Sequence, residues 1–212
     1  MTHPLYVAVV WHMHQPYYKD SRTGEYILPW VRLHAAKDYL HMAEVLAAHP
    51  GVHVTFNLAP SLVEQVEDYA SGRATDRIQA LALQDSWDAE EKAYLLANCF
   101  SIHWNNIIRR YPRYWQLLQL RQSARDEALL FAEDYYRDLL MWFNLAWIDP
   151  NWLEKDPLLR DMVAKGQHFD RAEVAAVLDK QREITARVLP LYAELQAAGQ
   201  LTNAEPTKVY NQ

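Results

Sequence analysis

The sequence predicts an α/β fold that begins with a parallel sheet and continues as a long run of helices. Two observations support this class. Residues 5–74 alternate twice between a short apolar stretch and a helix-like one, which is typical of parallel strands joined by right-handed crossovers. Residues 75–198 then carry apolar residues at helical spacing and contain no convincing strand.

The first strand is predicted from the β-branched and apolar run at residues 5–10, which fits a fully buried strand of a parallel sheet. The string Trp11-His12-Met13-His14-Gln15-Pro16-Tyr17-Tyr18 follows, and its polar residues and proline should end the strand. Loops at the carboxyl ends of the strands build the active sites of β/α barrels. This string is therefore a candidate site, although histidines that only hydrogen-bond the core would also fit it.

The next elements complete the strand and helix alternation. Residues 30–48 are predicted to form a helix that stops at His49-Pro50-Gly51, since proline followed by glycine terminates helices. Residues 52–56 are predicted as the second strand. Residues 57–61 then turn into a helix that carries Leu62, Val66 and Tyr69.

Three long helices are predicted in the remainder of the chain. The first is capped by Asp85 or Ser86 and ends near Tyr111-Pro112, with apolar positions at Ala93, Leu96, Ala97, Phe100, Trp104, Ile107 and Ile108. The second ends before Asp149-Pro150, with apolar positions at Leu129, Ala132, Tyr136, Leu139, Leu140, Phe143 and Trp147. The third opens with the capping box of Asp170 and Glu173, runs to Gly199 and should be kinked by Pro190.

The composition predicts a soluble globular protein that does not bind nucleic acid. Of its 212 residues, 50% are hydrophobic and 23% charged, as in ordinary globular domains. The net charge of -6 and the lack of a long basic run argue against nucleic acid as a partner. Residues 1–4 lack the basic region of a signal peptide, and no apolar run approaches the roughly 20 residues that span a bilayer. We therefore expect a cytoplasmic protein without a membrane partner.

Cysteine and aromatic usage add two expectations. Cys99 is the only cysteine, which excludes an intramolecular disulfide and favours a reducing compartment. Its apolar helical surroundings predict a small core residue rather than a nucleophile. The 8 Trp and 13 Tyr exceed the needs of a core of this size, and aromatic faces commonly hold sugar rings, although helix packing accounts for most of them.

Four segments occur in an order that points to a known family. They are residues 11–18, quoted above, Pro29-Trp30-Val31-Arg32-Leu33-His34-Ala35-Ala36-Lys37-Asp38-Tyr39, Phe56-Asn57-Leu58-Ala59-Pro60-Ser61-Leu62 and Trp142-Phe143-Asn144-Leu145-Ala146-Trp147. Together they resemble the N-terminal part of glycoside hydrolase family 57, and the last is similar to its amylopullulanase and α-amylase branch.

The resemblance implies the N-terminal part of an irregular seven-stranded β/α barrel, with a long, mostly helical insertion after the second strand. Residues 1–74 would form the first two β/α units and residues 75–198 the insertion. Residues 199–212 would be the start of the next barrel segment or an unrelated tail, and we expect the chain to be truncated there.

The function implied by the resemblance is that of a retaining glycosidase or glucanotransferase acting on α-glucans such as starch, glycogen or pullulan, without a cofactor. In the family, a Glu nucleophile and an Asp acid lie on later barrel strands, and no position of this chain matches either motif. The Gly-Gln-Leu-Glu type motif begins at Gly199-Gln200-Leu201, but Thr202 stands where Glu is expected. The sequence therefore assigns no catalytic residue here and predicts that the isolated chain is inactive.

The resemblance does imply residues that bind an oligo- or polysaccharide. His14 belongs to the sugar site next to the cleavage point, with Gln15 beside it. His12 should point to the same side of the strand as His14. Four further residues are expected to reach the same cleft or to have a purely structural role, namely Trp30, which could stack on a sugar, His34, Asn57 and Trp147.

Two other interpretations remain open from the sequence. The chain could be a catalytically inactive carbohydrate-binding fragment, because half a barrel leaves open sheet edges and lacks both catalytic carboxylates. It could also be a metal-dependent, amidohydrolase-like barrel in which His12 and His14 bind Zn²⁺ together with His34, His41, His53 or Asp residues. The leading interpretation assigns no metal ligand, and the sequence does not indicate an oligomeric state.

Overall fold

A computed structural model describes residue 3, residues 5–124 and residues 130–203 of the chain. The chain divides into two compact units. The first comprises Met1–Glu25, Trp30–Ala74 and Arg182–Gln212, and the second comprises Tyr26–Pro29 and Thr75–Gln181. The predictions made for Leu129 and for residues 204–212 lie outside the described residues.

The first unit contains a parallel sheet of three strands in the order β1 (Val10–Met13), β2 (Val54–Leu58) and β3 (Leu201–Asn203). In the register of the sheet Trp11 is paired with Phe56, His12 with Asn57 and Thr55 with Thr202. A mixed helix and strand structure with a small parallel sheet is confirmed. The second strand begins two residues later than predicted.

The prediction of a fully buried first strand at residues 5–10 is wrong. Strand β1 begins only at Val10, and the exposed fractions of Leu5, Tyr6 and Val7 are 89%, 87% and 78%. The reason is that β1 is an edge strand. Among the described residues, β2 is the one strand that is hydrogen-bonded to it. Consequently His12 lies within the strand, and His14 is the first residue after it.

Four α-helices accompany this sheet, namely α1 (Trp30–His34), α2 (Leu40–Ala47), α3 (Pro60–Ala70) and α11 (Val188–Ala197). A π-helical turn, Ala35–Tyr39, joins α1 to α2, so the predicted helix at residues 30–48 is continuous but not uniformly α-helical. Helix α11 packs against α2 and β3. Tyr192 of α11 meets Phe56 edge to face at 5.0 Å, which places the core between the sheet and these helices.

The second unit is helical, and residues 75–124 and 130–181 contain no strand, as predicted. Its helices are α4 (Arg77–Ala82), α5 (Ala89–Asn98), α6 (Pro112–Ala124), α7 (Glu133–Ala146), α8 (Pro150–Lys155), α9 (Pro157–Lys165) and the larger part of α10 (Arg171–Ala186). Helix α7 is the centre, since it is buried from Tyr135 to its end and packs against α4, α5 and α6. None of the described helices has both the length and the apolar character that crossing a bilayer requires.

The single long helix predicted to end near Tyr111 is wrong. Helix α5 starts from a capping box of Asp88 and Glu91, not from Asp85 or Ser86, and it ends at Asn98. The carbonyl groups of Cys99 and Phe100, which a longer helix would bond internally, accept hydrogen bonds from Tyr114 Oη and Trp104 Nε1 instead. These side chains satisfy the carbonyl groups at the end of α5, so the helix stops at Asn98 although apolar residues at helical spacing continue beyond it.

Other local predictions are confirmed. Asp170 and Glu173 form the predicted reciprocal cap of α10, with bonds of 2.8 and 2.9 Å. The predicted kink is a break between α10 and α11, because the ring of Pro190 cannot donate to the carbonyl of Ala186 and clashes with it. Cys99 is fully buried, as expected of a small core residue.

Candidate functional site

A cluster of polar side chains lies in the first unit and begins at the carboxyl ends of β1 and β2. Its members are His12, His14, Gln15, Tyr18, His34, Asp38, Tyr39, Asn57 and Gln65. His12 Nδ1 lies 2.9 Å from Asn57 Oδ1 across the two strands. An amide oxygen only accepts hydrogen bonds, so Nδ1 of His12 is the donor. The Nε2 of the same ring is left for another partner.

His14 continues this surface beyond the end of β1. Its ring is nearly parallel to that of His12, with an interplanar angle of 9° and centroids 6.0 Å apart. His14 is exposed and forms no hydrogen bond with the described residues. Both of its ring nitrogens are therefore available to a ligand.

Gln15 is held between two tyrosines. Its Nε2 donates to Tyr39 Oη at 3.0 Å, and its Oε1 accepts from Tyr18 Oη at 2.9 Å. Burial raises the pKa of both phenols, which keeps them protonated over the physiological range. The amide of Gln15 is thus fixed in orientation and retains one unused N–H.

The loop that carries Gln15 is fastened to α3 by Gln65, whose side chain is fully buried. Gln65 Oε1 accepts from the backbone N–H of Tyr18 at 2.9 Å, and its Nε2 donates to the carbonyl oxygens of Pro16 and Ser61 at 3.0 and 2.8 Å. These three bonds use most of the hydrogen-bonding capacity of the buried Gln65 amide. The loop is therefore pre-organised before any ligand arrives.

The π-helical turn contributes the other side of the cluster. Tyr39, its last residue, stacks on the ring of His34 with a centroid distance of 5.9 Å. Turns of π-helix occur frequently at functional sites, because they displace side chains from the α-helical pattern. Here the turn links His34 to Gln15 through Tyr39.

Asp38 lies in the same turn and is bonded twice. Its oxygens accept from His34 Nδ1 and Lys37 Nζ, each at 2.7 Å. Burial alone would raise the pKa of the Asp38 carboxyl, but the hydrogen bonds from His34 and Lys37 outweigh it and hold that pKa below its usual value. Asp38 is therefore ionised at neutral pH and cannot serve as a proton donor.

This pairing predicts a pH-dependent stability difference. We expect Asp38→Asn to lower the free energy of unfolding at neutral pH by about 1 kcal/mol, as for a partly exposed ion pair. Because folding lowers the pKa of Asp38, its stabilisation is present above the unfolded pKa and is lost as pH falls through the folded pKa. The difference from the parent, measured by urea unfolding at several pH values, should be constant above about pH 5 and shrink below about pH 4.

The matched control for this experiment is Glu67→Gln, at an exposed position of α3. It should change the free energy of unfolding by less than about 0.5 kcal/mol at every pH. A deficit of Asp38→Asn that is as large at pH 3 as at pH 7 would contradict the assigned role of the carboxylate.

The structure joins some of the predicted site residues. His12 contacts Asn57 and His14, and Gln15 connects to His34 through Tyr39. Trp30 is half-buried at the start of α1.

Trp147 belongs to the second unit, where it directly follows α7 and is only 8% exposed. Its predicted part in the sugar site stays a prediction.

The sequence interpretation missed four residues of the cluster, namely Tyr18, Asp38, Tyr39 and Gln65. The first three lie in the segments that carry the family resemblance, which was the available signal for them. Gln65 had no such signal, because a glutamine on a helix is ordinarily an exposed residue.

The geometry does not favour the zinc hypothesis. Over the described ranges, no three His, Cys, Asp or Glu side chains are grouped so that they could hold a metal ion. His53, one of the proposed ligands, lies just before the amino end of β2 and is bonded to the carbonyl of Gly199. His12 and His14 lie toward the opposite end of the sheet.

Comparison with known proteins gives one finding. A profile described as "Glycosyl hydrolase family 57" matches residues 8–203, which include every residue of the cluster. No curated protein and no solved structure gives a match.

Proposed function

The chain belongs to glycosyl hydrolase family 57, and on that premise we propose that the cluster at the carboxyl ends of β1 and β2 binds a sugar ring of an α-glucan. Membership indicates a glycoside hydrolase-like enzyme with a carbohydrate substrate. Starch, glycogen and pullulan are the proposed substrates, because the segment Trp142–Trp147 is similar to the amylopullulanase and α-amylase branch.

The observation that carries the proposal is the pair of exposed, parallel imidazoles of His12 and His14. Both rings offer nitrogen atoms with no partner among the described residues, and such groups can donate to or accept from sugar hydroxyls. Asn57 holds the ring of His12 through Nδ1, which leaves Nε2 for a ligand. A site with fixed polar groups favours one orientation of the bound ring.

The other predicted residues have supporting roles in this proposal. Gln15, oriented by Tyr18 and Tyr39, offers its remaining N–H to the same sugar. His34 stacks on the ring of Tyr39, and the half-buried Trp30 supplies aromatic surface for a neighbouring sugar ring.

The cluster binds substrate but does not itself cleave it in this proposal. Retaining glycoside hydrolysis needs two carboxyl groups roughly 5 Å apart, one of which must be protonated to act as the acid. Asp38 is a carboxylate of the cluster, and it is ionised and bonded to His34 and Lys37. The Glu nucleophile and the Asp acid of the retaining mechanism are therefore not assigned to these residues.

We further propose that the parallel sheet is part of an irregular seven-stranded β/α barrel. Residues 1–74 would supply its first two β/α units, residues 75–198 the helical insertion, and β3 the start of the next segment. The parallel pairing of β3 with β2, directly after the helical residues, supports this assignment. The edge position of β1 supports it as well, because barrel closure would pair that edge.

The decisive test is affinity electrophoresis in gels that contain soluble starch or pullulan. We expect His14→Ala to weaken glucan binding five- to tenfold, the equivalent of about 1 kcal/mol for one hydrogen-bonding group. The double variant His12→Ala/His14→Ala should weaken binding at this cluster further than His14→Ala alone.

The matched control is His53→Ala, which makes the same change near the amino end of β2 and should bind like the parent. Wild-type retardation of His14→Ala would refute the assignment. Release of reducing sugar from the same glucans distinguishes an active glycosidase from an inactive carbohydrate-binding chain. Binding without any release is the result expected of the inactive chain.

A further inference from the structure

The second unit has its own open groove of about 610 Å³, at the start of α6 and the end of α9. This volume lies within the usual range for sites that hold a small ligand. We propose that the groove is a second α-glucan-binding site. The inference takes the substrate class from the proposed function but depends on a different set of residues.

A rigid aromatic wall forms one side of the groove. The ring of Tyr111 packs on Trp142 with a centroid distance of 4.8 Å and an angle of 31°. Trp142 is itself fixed, because its Nε1 donates to the carbonyl of Gly166 at 2.8 Å and its ring meets Phe169 edge to face. Tyr111 is half-buried, so part of its ring is presented to the groove as an apolar surface.

The charges of the groove favour a neutral ligand over an anion. Arg113 is neutralised by Asp138 at 2.8 Å, and Lys165 lies 2.6 Å from both oxygens of Glu173. A phosphate-binding groove would need several cations that are not already paired. None of the described residues that line the groove is acidic, so a metal cation does not suit it either.

The unpaired groups are those that hydrogen-bond sugar hydroxyls. Arg110 is exposed, and its guanidinium forms no ion pair or hydrogen bond within the described chain. Gln116 accepts from Arg113 Nη1 at 2.8 Å, which leaves its amide N–H groups available. Gln167, which also lines the groove, adds an exposed amide. An aromatic surface and planar donors in one groove suit the apolar face and the hydroxyl groups of glucose units.

The test is isothermal titration of maltoheptaose into the full chain and its variants. We expect Arg110→Ala/Gln167→Ala to weaken the groove site about tenfold, because charged hydrogen bonds are the stronger ones. Ala164→Trp, at an exposed position of the wall, should abolish that site by filling it. Arg160→Ala, which removes an exposed arginine elsewhere on α9, is the matched control and should leave both sites unchanged.

The outcomes separate the two sites. Loss of one binding event in the groove variants, with the other retained, supports the inference, and His14→Ala should weaken the other event five- to tenfold. If both groove variants bind maltoheptaose like the parent while His14→Ala does not, the groove is not a glucan site and the proposed function stands. If only the groove variants lose binding, the proposed function fails instead. Displacement of maltoheptaose by inorganic phosphate would overturn the choice of a neutral ligand.

Discussion

Asp138→Ala should lower the free energy of unfolding by about 3–5 kcal/mol, the usual result when one partner of a buried ion pair is removed. The carboxylate lies in the middle of α7 and is fully buried. It accepts from Arg113 Nε and Nη2, both at 2.8 Å, and from the backbone N–H of Phe169 at 3.2 Å. The variant would leave Nε and Nη2 of the largely buried Arg113 guanidinium and one buried backbone N–H without their acceptor.

Urea unfolding followed by circular dichroism measures this loss. Asp134→Ala is the control on the same helix, because Asp134 is exposed in the first turn of α7 and should cost less than about 1 kcal/mol. Should Asp138→Ala cost no more than Asp134→Ala, the buried carboxylate does not stabilise the helical unit as described.

Phe56→Ala should have an effect of similar size in the first unit, about 3–5 kcal/mol, because it removes a large side chain and leaves a cavity. Phe56 is 2% exposed and contacts Tyr192 of α11. It also precedes Asn57, which holds His12. We therefore expect the variant to weaken glucan binding as well as stability, since β2 positions one end of the cluster.

Two further variants make this prediction specific. Phe56→Leu keeps most of the volume and should cost only about 1 kcal/mol. Val52→Ala changes a residue that is 47% exposed at the amino side of β2, and its cost should stay below about 1 kcal/mol. Equal losses for Val52→Ala and Phe56→Ala would contradict the placement of the core between the sheet and α11.

Capping residues and proline predicted correctly those helix boundaries that depend only on residues close in sequence. The cap of α10 depends on Asp170 and Glu173, three residues apart, and the break before α11 depends on a single proline. Such features require no distant partner. The end of α5 does require one, because it depends on Tyr114 of the next helix. For that helix end, the continuous apolar spacing led to a wrong prediction.

The candidate site also combines features that depend on neighbouring residues with features that depend on distant ones. The histidine pair and its neighbours were recognisable from one string of residues. The connection of Gln15 to His34 was not, because it runs through Tyr39 and depends on a π-helical turn that shifts the register of the helix. Gln65 was also not recognisable, because its burial arises only when α3 packs beside the loop.

The sequence by itself determined the family, the mixed helix and strand class and the position of the polar string near the end of the first strand. These follow from the identity, order and spacing of residues along the chain. The tertiary structure decided that residues 5–9 are exposed, that β1 is an edge strand and which side chains complete the cluster. The physical reason is that burial and hydrogen-bond partners are properties of packing between segments distant in sequence, so a run of apolar residues indicates a buried strand only where other elements cover it.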